Sequence, residues 1–176
     1  LAILSLLFAA SFALPMGLAA AWWQDGLVDH ALRGIALVAI STPAFVTGPI
    51  AIYLLAVVVP IVPTPAHDAS ALQGALLPSL IIGFALSGRL ARLLRATALE
   101  QLRSDFVISA RFRGFSDLRV LLAHVLPNAA LPVLTVLGLQ LAALLGGALV
   151  TERIFGRPGI GTLLLDGIAA RDHAVV

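Results

Sequence analysis

Few side chains in this 176-residue sequence are of types that perform catalysis, and their spacing keeps them apart. The sequence has no cysteine, and its four histidines are separated by 37, 57 and 49 positions, so no two of them could bind a metal ion from one helix. No serine stands in the G-x-S-x-G pattern of a hydrolase nucleophile. Residues 156–161 are rich in glycine but lack the G-x-G-x-x-G order of a nucleotide-binding loop. We therefore predict no catalytic residue, no metal site and no cofactor on this chain.

The most unusual stretch is residues 89–124, a long polar segment between apolar runs. If the start of this segment is helical, with 100° per residue, its charged side chains fall within a sector of about 140° on one face of the helix. These residues are Arg89, Arg92, Arg95, Glu100 and Arg103. Ser104 and Ser116 are typical N-caps and Gly114 is a typical C-cap, which predicts a helix, a tight turn and a second helix. This pattern is equally consistent with an amphipathic element lying on anionic lipid and with a docking element for a cytoplasmic partner.

A membrane must position this segment, because the rest of the chain is a series of long uncharged stretches. Hydrophobic residues make up 60% of the sequence and charged residues 11%, whereas roughly 25% of the residues in a soluble domain are charged. This composition excludes a soluble enzyme, a soluble binding module and a disordered chain. We predict an all-α fold, a polytopic transmembrane helix bundle that forms a single domain over residues 1–176. Its four predicted spans lie at about 1–23, 36–60, 70–95 and 125–150.

The distribution of the eleven arginines predicts the orientation of these spans. Residues 24–34, predicted to be a polar link, and residues 89–124 together hold eight arginines, and residues 152–171 hold three. By the positive-inside rule, the first two segments are cytoplasmic, and residues 152–173 form an extracytoplasmic loop. Because the arginines separate apolar runs, the net charge of +2 is a topology signal, and no nucleic-acid partner is expected.

One short pattern resembles a known family. Ser109-Ala110, then Gly114, then Leu126-Pro127 are similar to the E-A-A-x3-G-x9-I-x-L-P motif of the permease subunits of ABC importers. Residues 101–176 resemble, more widely, the first (B-type) permease of dipeptide and oligopeptide importers, and the upstream spans fit the same family loosely. The motif is degenerate, because Ile108 stands where the general pattern has Glu and His124 where it has Ile.

The resemblance implies a coupling segment at residues 104–121 that inserts into a groove of an ATP-binding subunit. The residues assigned to this contact are Ser109, Ala110, Arg111, Arg113, Gly114, Phe115, Ser116 and Asp117. We expect Phe115 and Ala110 to be the protruding apolar surface of the turn, with Arg111 and Arg113 as its charged rim. Gly114 suits the turn because a left-handed backbone is comfortable for glycine.

The function implied is that of the translocation subunit of an ATP-driven importer for peptides, located as a multi-pass protein in a prokaryotic inner membrane. The implied partners are a second homologous permease, two ATP-binding subunits that carry the ATP and Mg²⁺, and an extracytoplasmic substrate-binding protein. The chain is then a fragment of a longer protein, with six spans in the full chain.

Three polar residues of the last predicted span, Asn128, Thr135 and Gln140, are candidates for the translocation pathway. Each is also consistent with a hydrogen bond to a neighbouring helix. Importers of the same family for nickel chelates, glutathione or haem remain alternatives for the cargo. A secondary transporter is disfavoured because the long apolar runs contain no Asp, Glu or Arg, and an intramembrane hydrolase is disfavoured because they contain no acid pair.

Overall fold

The computed structural model describes residues 1–59, 73–145, 149–156 and 159–171, and within these ranges the chain forms helices and no strand. The α-helices are α1 (Ala2–Trp22), α2 (Leu27–Ser41), α3 (Ala44–Ile52), α4 (Gln73–Leu102), α5 (Asp105–Phe112), α6 (Asp117–Val120), α7 (Leu126–Leu145), α8 (Leu149–Ile154) and α9 (Ile160–Ala170). Two π-helical segments, Tyr53–Val58 and Leu121–Val125, follow α3 and α6. The segment between the second and third predicted spans, within residues 60–72, lies outside the described residues.

Three of the described helical segments are long and apolar enough to cross a membrane, namely Ala2–Trp22, Gly74–Leu102 and Asp117–Leu145. A fourth span results if Leu27–Ser41 and Val46–Leu55, which are bent by 102° relative to each other, cross together. The predicted fold class, an all-α polytopic bundle, is confirmed.

The bend between α2 and α3 has a local cause at Pro43. A proline disfavours the α-helical conformation of the residue before it. Thr42 accordingly takes an extended backbone, with φ −93° and ψ 114°, and Pro43 becomes the N-cap of α3. The second apolar stretch is therefore broken into two helices rather than forming one straight span.

Helix α2 begins earlier than the sequence pattern predicts. The pattern predicts a polar link over residues 24–34, but α2 starts at Leu27, so the turn after α1 is short. A helix can begin there because Asp29, in its first turn, is fully buried against a basic partner on α4.

Helix α4 is central to the described fold and packs against α1, α2, α3 and α7. Small residues allow its neighbours to approach closely. A Cβ atom added at Gly17 of α1 would lie 2.9 Å from the carbonyl oxygen of Ala91, and one added at Gly88 of α4 would lie 2.5 Å from that of Ala36 on α2. The main cluster of buried residues follows these contacts and includes Leu90 and Leu94. These backbone approaches fix how α1, α2 and α4 lie against each other.

Candidate functional site

The candidate coupling segment is a helical hairpin made by α5, a short turn and α6. Gly114 has φ +79°, a left-handed conformation that favours glycine, as the sequence predicted. The Phe115 N–H donates to the carbonyl of Ala110 at 3.3 Å, and the Gly114 N–H donates to that of Arg111 at 2.9 Å. These two bonds form a Schellman motif, which satisfies the last carbonyls of α5 and reverses the chain.

The two predicted N-caps occupy their positions without capping by their side chains. Ser104 and Ser116 precede α5 and α6, but neither hydroxyl bonds to a helix N–H. Ser104 instead donates its Oγ hydrogen to the carbonyl of Gln101 at 2.5 Å. Across the turn, the Arg111 Nε lies 3.0 Å from Asp117 Oδ1, but both side chains are more than half exposed, so this ion pair stabilises the hairpin only slightly.

The expectation that Phe115 and Ala110 protrude from the turn is wrong. Ala110 is 6% exposed. Phe115 is half-buried, stacks on His124 with ring centroids 5.6 Å apart, and lies under the guanidinium of Arg119 at 4.6 Å. The physical reason is that the Schellman motif reverses the chain after Gly114, so that Phe115 packs on His124 and Arg119 of the second arm of the hairpin. Ala110 lies with Val107 on the buried side of α5.

Phe112 is the most exposed aromatic residue of the hairpin, at 88% of its surface, whereas Phe106 of the same helix is 37% exposed. Ile108 lies one helical turn earlier on the same face of α5 and is 46% exposed, and Leu118 of α6 is 60% exposed. The sequence does contain a pattern that indicates this face. Val107 and Ala110 are three residues apart and define the buried side of α5, so positions 108 and 112 lie on the opposite side of the helix.

The remaining assigned residues surround this apolar face. The structure exposes Ser109, Arg111, Arg113, Gly114, Ser116 and Asp117 at the surface of the hairpin. The hairpin itself is anchored, because Val107 and Val120 are fully buried in the same cluster as Leu90 and Leu94 of α4. An exposed apolar face on a firmly packed base is what a docking element requires.

The second half of the hairpin continues into the last long helix. Residues Asp117–Leu145 form one helical segment, interrupted only by a change to π-helical bonding, in which the Leu126 N–H reaches back to the Leu121 carbonyl. Pro127 is the second residue of α7 and follows this π-helical turn directly. The wider turn just before it accommodates a proline, which lacks an N–H donor. A displacement of the hairpin would therefore be carried directly into α7.

The three polar candidates on α7 do not form one group. Asn128 Nδ2 donates to the His124 carbonyl at 2.8 Å and Thr135 Oγ1 to the Leu131 carbonyl at 3.3 Å, and both residues are exposed on the same face of α7. Gln140 points elsewhere and is 6% exposed, and neither atom of its amide has a hydrogen-bond partner among the described residues. An unpaired buried amide is unfavourable, so Gln140 needs a polar partner from elsewhere.

A buried ion pair between α2 and α4 is a feature that sequence reasoning missed. Arg95 binds Asp29 with two hydrogen bonds, from Nε to Oδ1 at 2.7 Å and from Nη2 to Oδ2 at 2.5 Å. The Asp25 N–H also donates to Asp29 Oδ2, at 3.0 Å. Asp29 is completely buried and Arg95 is 18% exposed. No local pattern could pair two residues this far apart in the chain.

The predicted extracytoplasmic loop contains the end of α8 and all of α9, both of which are short helices. The Thr162 N–H at the start of α9 donates to Glu152 Oε2 of α8 at 2.9 Å, so a carboxylate from another helix caps α9. An exposed ion pair of 2.8 Å joins Arg153 to Asp166. Phe155 is buried with Leu77 and Ile81 of α4, and thus ties the hairpin of α8 and α9 to the bundle. Residues 157–158 and 172–173 of this loop lie outside the described residues.

Comparisons with known proteins agree with this architecture and confirm the resemblance to importer permeases. Residues 13–175 match the family described as the binding-protein-dependent transport system inner membrane component. The chain is 39% identical over 176 residues to the glutathione transport system permease protein GsiC of Escherichia coli (strain K12), and 38% identical to that of Salmonella typhi. All of this chain is matched in both cases, and it spans 57% of the length of each relative. The chain therefore belongs to the family of inner membrane components of binding-protein-dependent transport systems.

Proposed function

We propose that this chain is part of the translocation subunit of an ATP-driven importer for small peptides. The observation that carries the proposal is the hairpin of α5 and α6, which presents exposed Phe112 on a base buried in the bundle and runs without a break into α7. Closure of the ATP-binding subunits would move residues 104–121 as a rigid lever and reorient the spans. ATP hydrolysis would take place on the partners, with their ATP and Mg²⁺, and not on this chain.

The cargo class follows from the relatives rather than from a site in the structure. The similar permeases carry the name of a glutathione transport system, and glutathione is itself a small peptide. Glutathione and short peptides are thus the first cargoes to test, ahead of nickel chelates and haem. A substrate-binding protein outside the membrane would deliver the cargo.

The polar groups of α7 support a second permease subunit as a further partner. Asn128 and Thr135 share an exposed face, and an exposed polar face within a span is stable only against another helix or a water-filled path. Gln140 is buried without a partner among the described residues. We propose that these three residues line the pathway or the contact with the second permease.

The proposed orientation predicts labelling from opposite sides of the membrane. Ser116 lies at the tip of the α5–α6 hairpin, and Asp166 is 69% exposed in α9. In a full-length protein without other cysteines, an impermeant maleimide should label Ser116→Cys only from the cytoplasm and Asp166→Cys only from outside. Loss of the exposed Arg153–Asp166 ion pair should be tolerated, because such pairs stabilise a protein by about 1 kcal/mol or less. Labelling of both positions from one side would contradict the proposed topology.

The energy source distinguishes the importer from a secondary transporter. Secondary transporters use a membrane-embedded acid or base for ion coupling. The described apolar helices Ala2–Trp22 and Leu126–Leu145 contain none, and the buried acid of α2, Asp29, is already bound to Arg95 of α4. Uptake of glutathione or dipeptide by the assembled complex in proteoliposomes should therefore require ATP on the side of the ATP-binding subunits and survive an uncoupler at constant ATP. Uptake that stops with the uncoupler while ATP is maintained would overturn the proposal.

A further inference from the structure

A cavity lined by three arginines opens between α2 and α4, apart from the coupling hairpin and from the polar residues of α7. Its volume is about 250 Å³, and it is lined by Arg33, Leu37, Arg92, Arg95 and Ala96, with no acidic side chain among these described lining residues. Of these three arginines, Arg95 forms an ion pair with the buried Asp29. The ion pairs among the described residues include neither Arg33 nor Arg92. Asp29 is paired with Arg95 and also interacts electrostatically with Arg33, so the three arginines leave the cavity with a net positive charge.

The cavity lies near the level at which α1 ends in two exposed tryptophans, where a membrane interface is expected. Arg92 is 19 residues after Gln73, the start of α4, which is about 29 Å along a helix and close to the thickness of a hydrocarbon core. Gly17 of α1 packs on Ala91 and Leu94 of α4, so this part of α4 is level with the last turns of α1. Helix α1 ends at Trp22, and Trp22 and Trp23 are 39% and 53% exposed, as is typical of the membrane interface.

Arginine side chains near the end of a membrane helix extend their guanidinium groups toward the interface, where the lipid phosphates lie. Arginine forms paired hydrogen bonds with phosphate particularly well. Basic pockets between membrane helices on the cytoplasmic side bind the headgroups of anionic lipids. The charge, the depth and the chemistry of the cavity thus select a phosphate.

An apolar path continues from the cavity along α2. Leu37 and Ile40 follow Arg33 at helical spacings of four and seven residues, so the three side chains share one face. Leu37 is 50% exposed and Ile40 is 40% exposed. A lipid with its phosphate between the arginines could lay an acyl chain along this face. A carboxylate from a soluble partner could reach the arginines but could not use this apolar path.

We propose that Arg33 and Arg92, with Arg95 held in place by Asp29, bind the phosphate of an anionic phospholipid such as phosphatidylglycerol. The proposal concerns the two helices α2 and α4 and goes beyond the transport function. It does not depend on the coupling hairpin.

The test uses the full-length permease in its assembled complex, reconstituted in vesicles of phosphatidylcholine doped with phosphatidylglycerol. Native mass spectrometry then counts the phosphatidylglycerol molecules that stay bound to the released complex. The double variant Arg33→Gln/Arg92→Gln should lose bound phosphatidylglycerol by roughly tenfold or more, since each arginine near an anionic surface contributes strongly to binding. Both side chains are exposed, so the variant should fold.

The matched control is Arg89→Gln/Arg103→Gln, which also removes two positive charges, from exposed positions outside the cavity, and should retain the lipid. Equal retention by the double variant and the wild type would overturn the proposal. Displacement of the lipid by inorganic phosphate alone, at equal concentration, would identify a site for soluble anions and would also overturn it. If the double variant lost an ATP-binding subunit but kept the same amount of bound phosphatidylglycerol, the arginines would belong to a protein contact, and the proposal would be overturned. Transport of peptide by the wild type is a separate measurement, so failure of the lipid site would leave the transport proposal standing.

Discussion

Phe112→Asp should abolish substrate-stimulated ATP hydrolysis and the retention of the ATP-binding subunits, while membrane insertion of the permease stays normal. Phe112 is 88% exposed on the α5–α6 hairpin and lies outside the long apolar helices. Burial of a phenylalanine in a partner's groove contributes about 2 kcal/mol. A carboxylate in its place would lose this contribution and would also have to be desolvated. The combined effect on the affinity for the ATP-binding subunit should be on the order of a hundredfold or more.

The matched control for this prediction is Phe112→Leu, which keeps an apolar side chain at the same place and should retain most of the coupling. The measurement is the ATPase content and the stimulated turnover of each complex after purification through a tag on the permease. Wild-type content and turnover in Phe112→Asp would show that residues 104–121 do not couple the subunits. If the hairpin only lay on lipid, the variant would lose membrane contact without any change in ATPase binding.

Gly114 offers an independent way to disturb the same hairpin through the backbone. Gly114 has φ +79°, and no atom beyond its chain neighbours lies within 4 Å of the place that a Cβ would occupy, so a substitution there meets strain but no clash. Valine is unfavourable there by about 1 kcal/mol or more, because β-branched residues avoid left-handed backbone. Gly114→Val should therefore weaken coupling in the same assay, and Gly114→Asn, which tolerates this conformation, should do so less.

The second large effect is expected at the ion pair between α2 and α4. Arg95→Met should strongly destabilise the permease, because it leaves Asp29, which is completely buried, without its cationic partner. Removal of one partner of a buried ion pair typically costs about 3–5 kcal/mol. Asp29→Asn should be less damaging, since Arg95 is 18% exposed and borders a polar cavity. The double variant Asp29→Asn/Arg95→Met should regain much of the loss, because no unpaired charge remains buried.

Two measurements check this order of stability. One is the midpoint of thermal unfolding of the detergent-solubilised complex, which should fall on the order of 10 °C for Arg95→Met. The other is the steady-state amount of each variant in the membrane. An Arg95→Met protein as stable as the wild type, or a double variant no better than Arg95→Met, would show that the pair does not hold α2 on α4.

The sequence alone predicted those features that depend on neighbours along the chain. Long uncharged stretches predicted an all-α membrane bundle, because a span needs only a sufficient length of apolar residues. Gly114 predicted a left-handed turn between two short helices, because few other residues adopt that backbone, and the structure has φ +79° there. The short motif around Ala110 and Gly114 indicated the family before any contact was known.

Only the tertiary structure decided which side chains face outward and which charges meet. Phe112 rather than Phe115 is exposed because the Schellman motif returns Phe115 to the bundle, and its stacking on His124 depends on how α6 continues into α7. The pairing of Asp29 with Arg95 depends on α2 approaching α4 at Gly88, where no side chain intervenes. Local periodicity assigns a residue to one face of its own helix. The neighbouring helix that this face contacts is determined by the packing of small residues between helices that are distant in the chain.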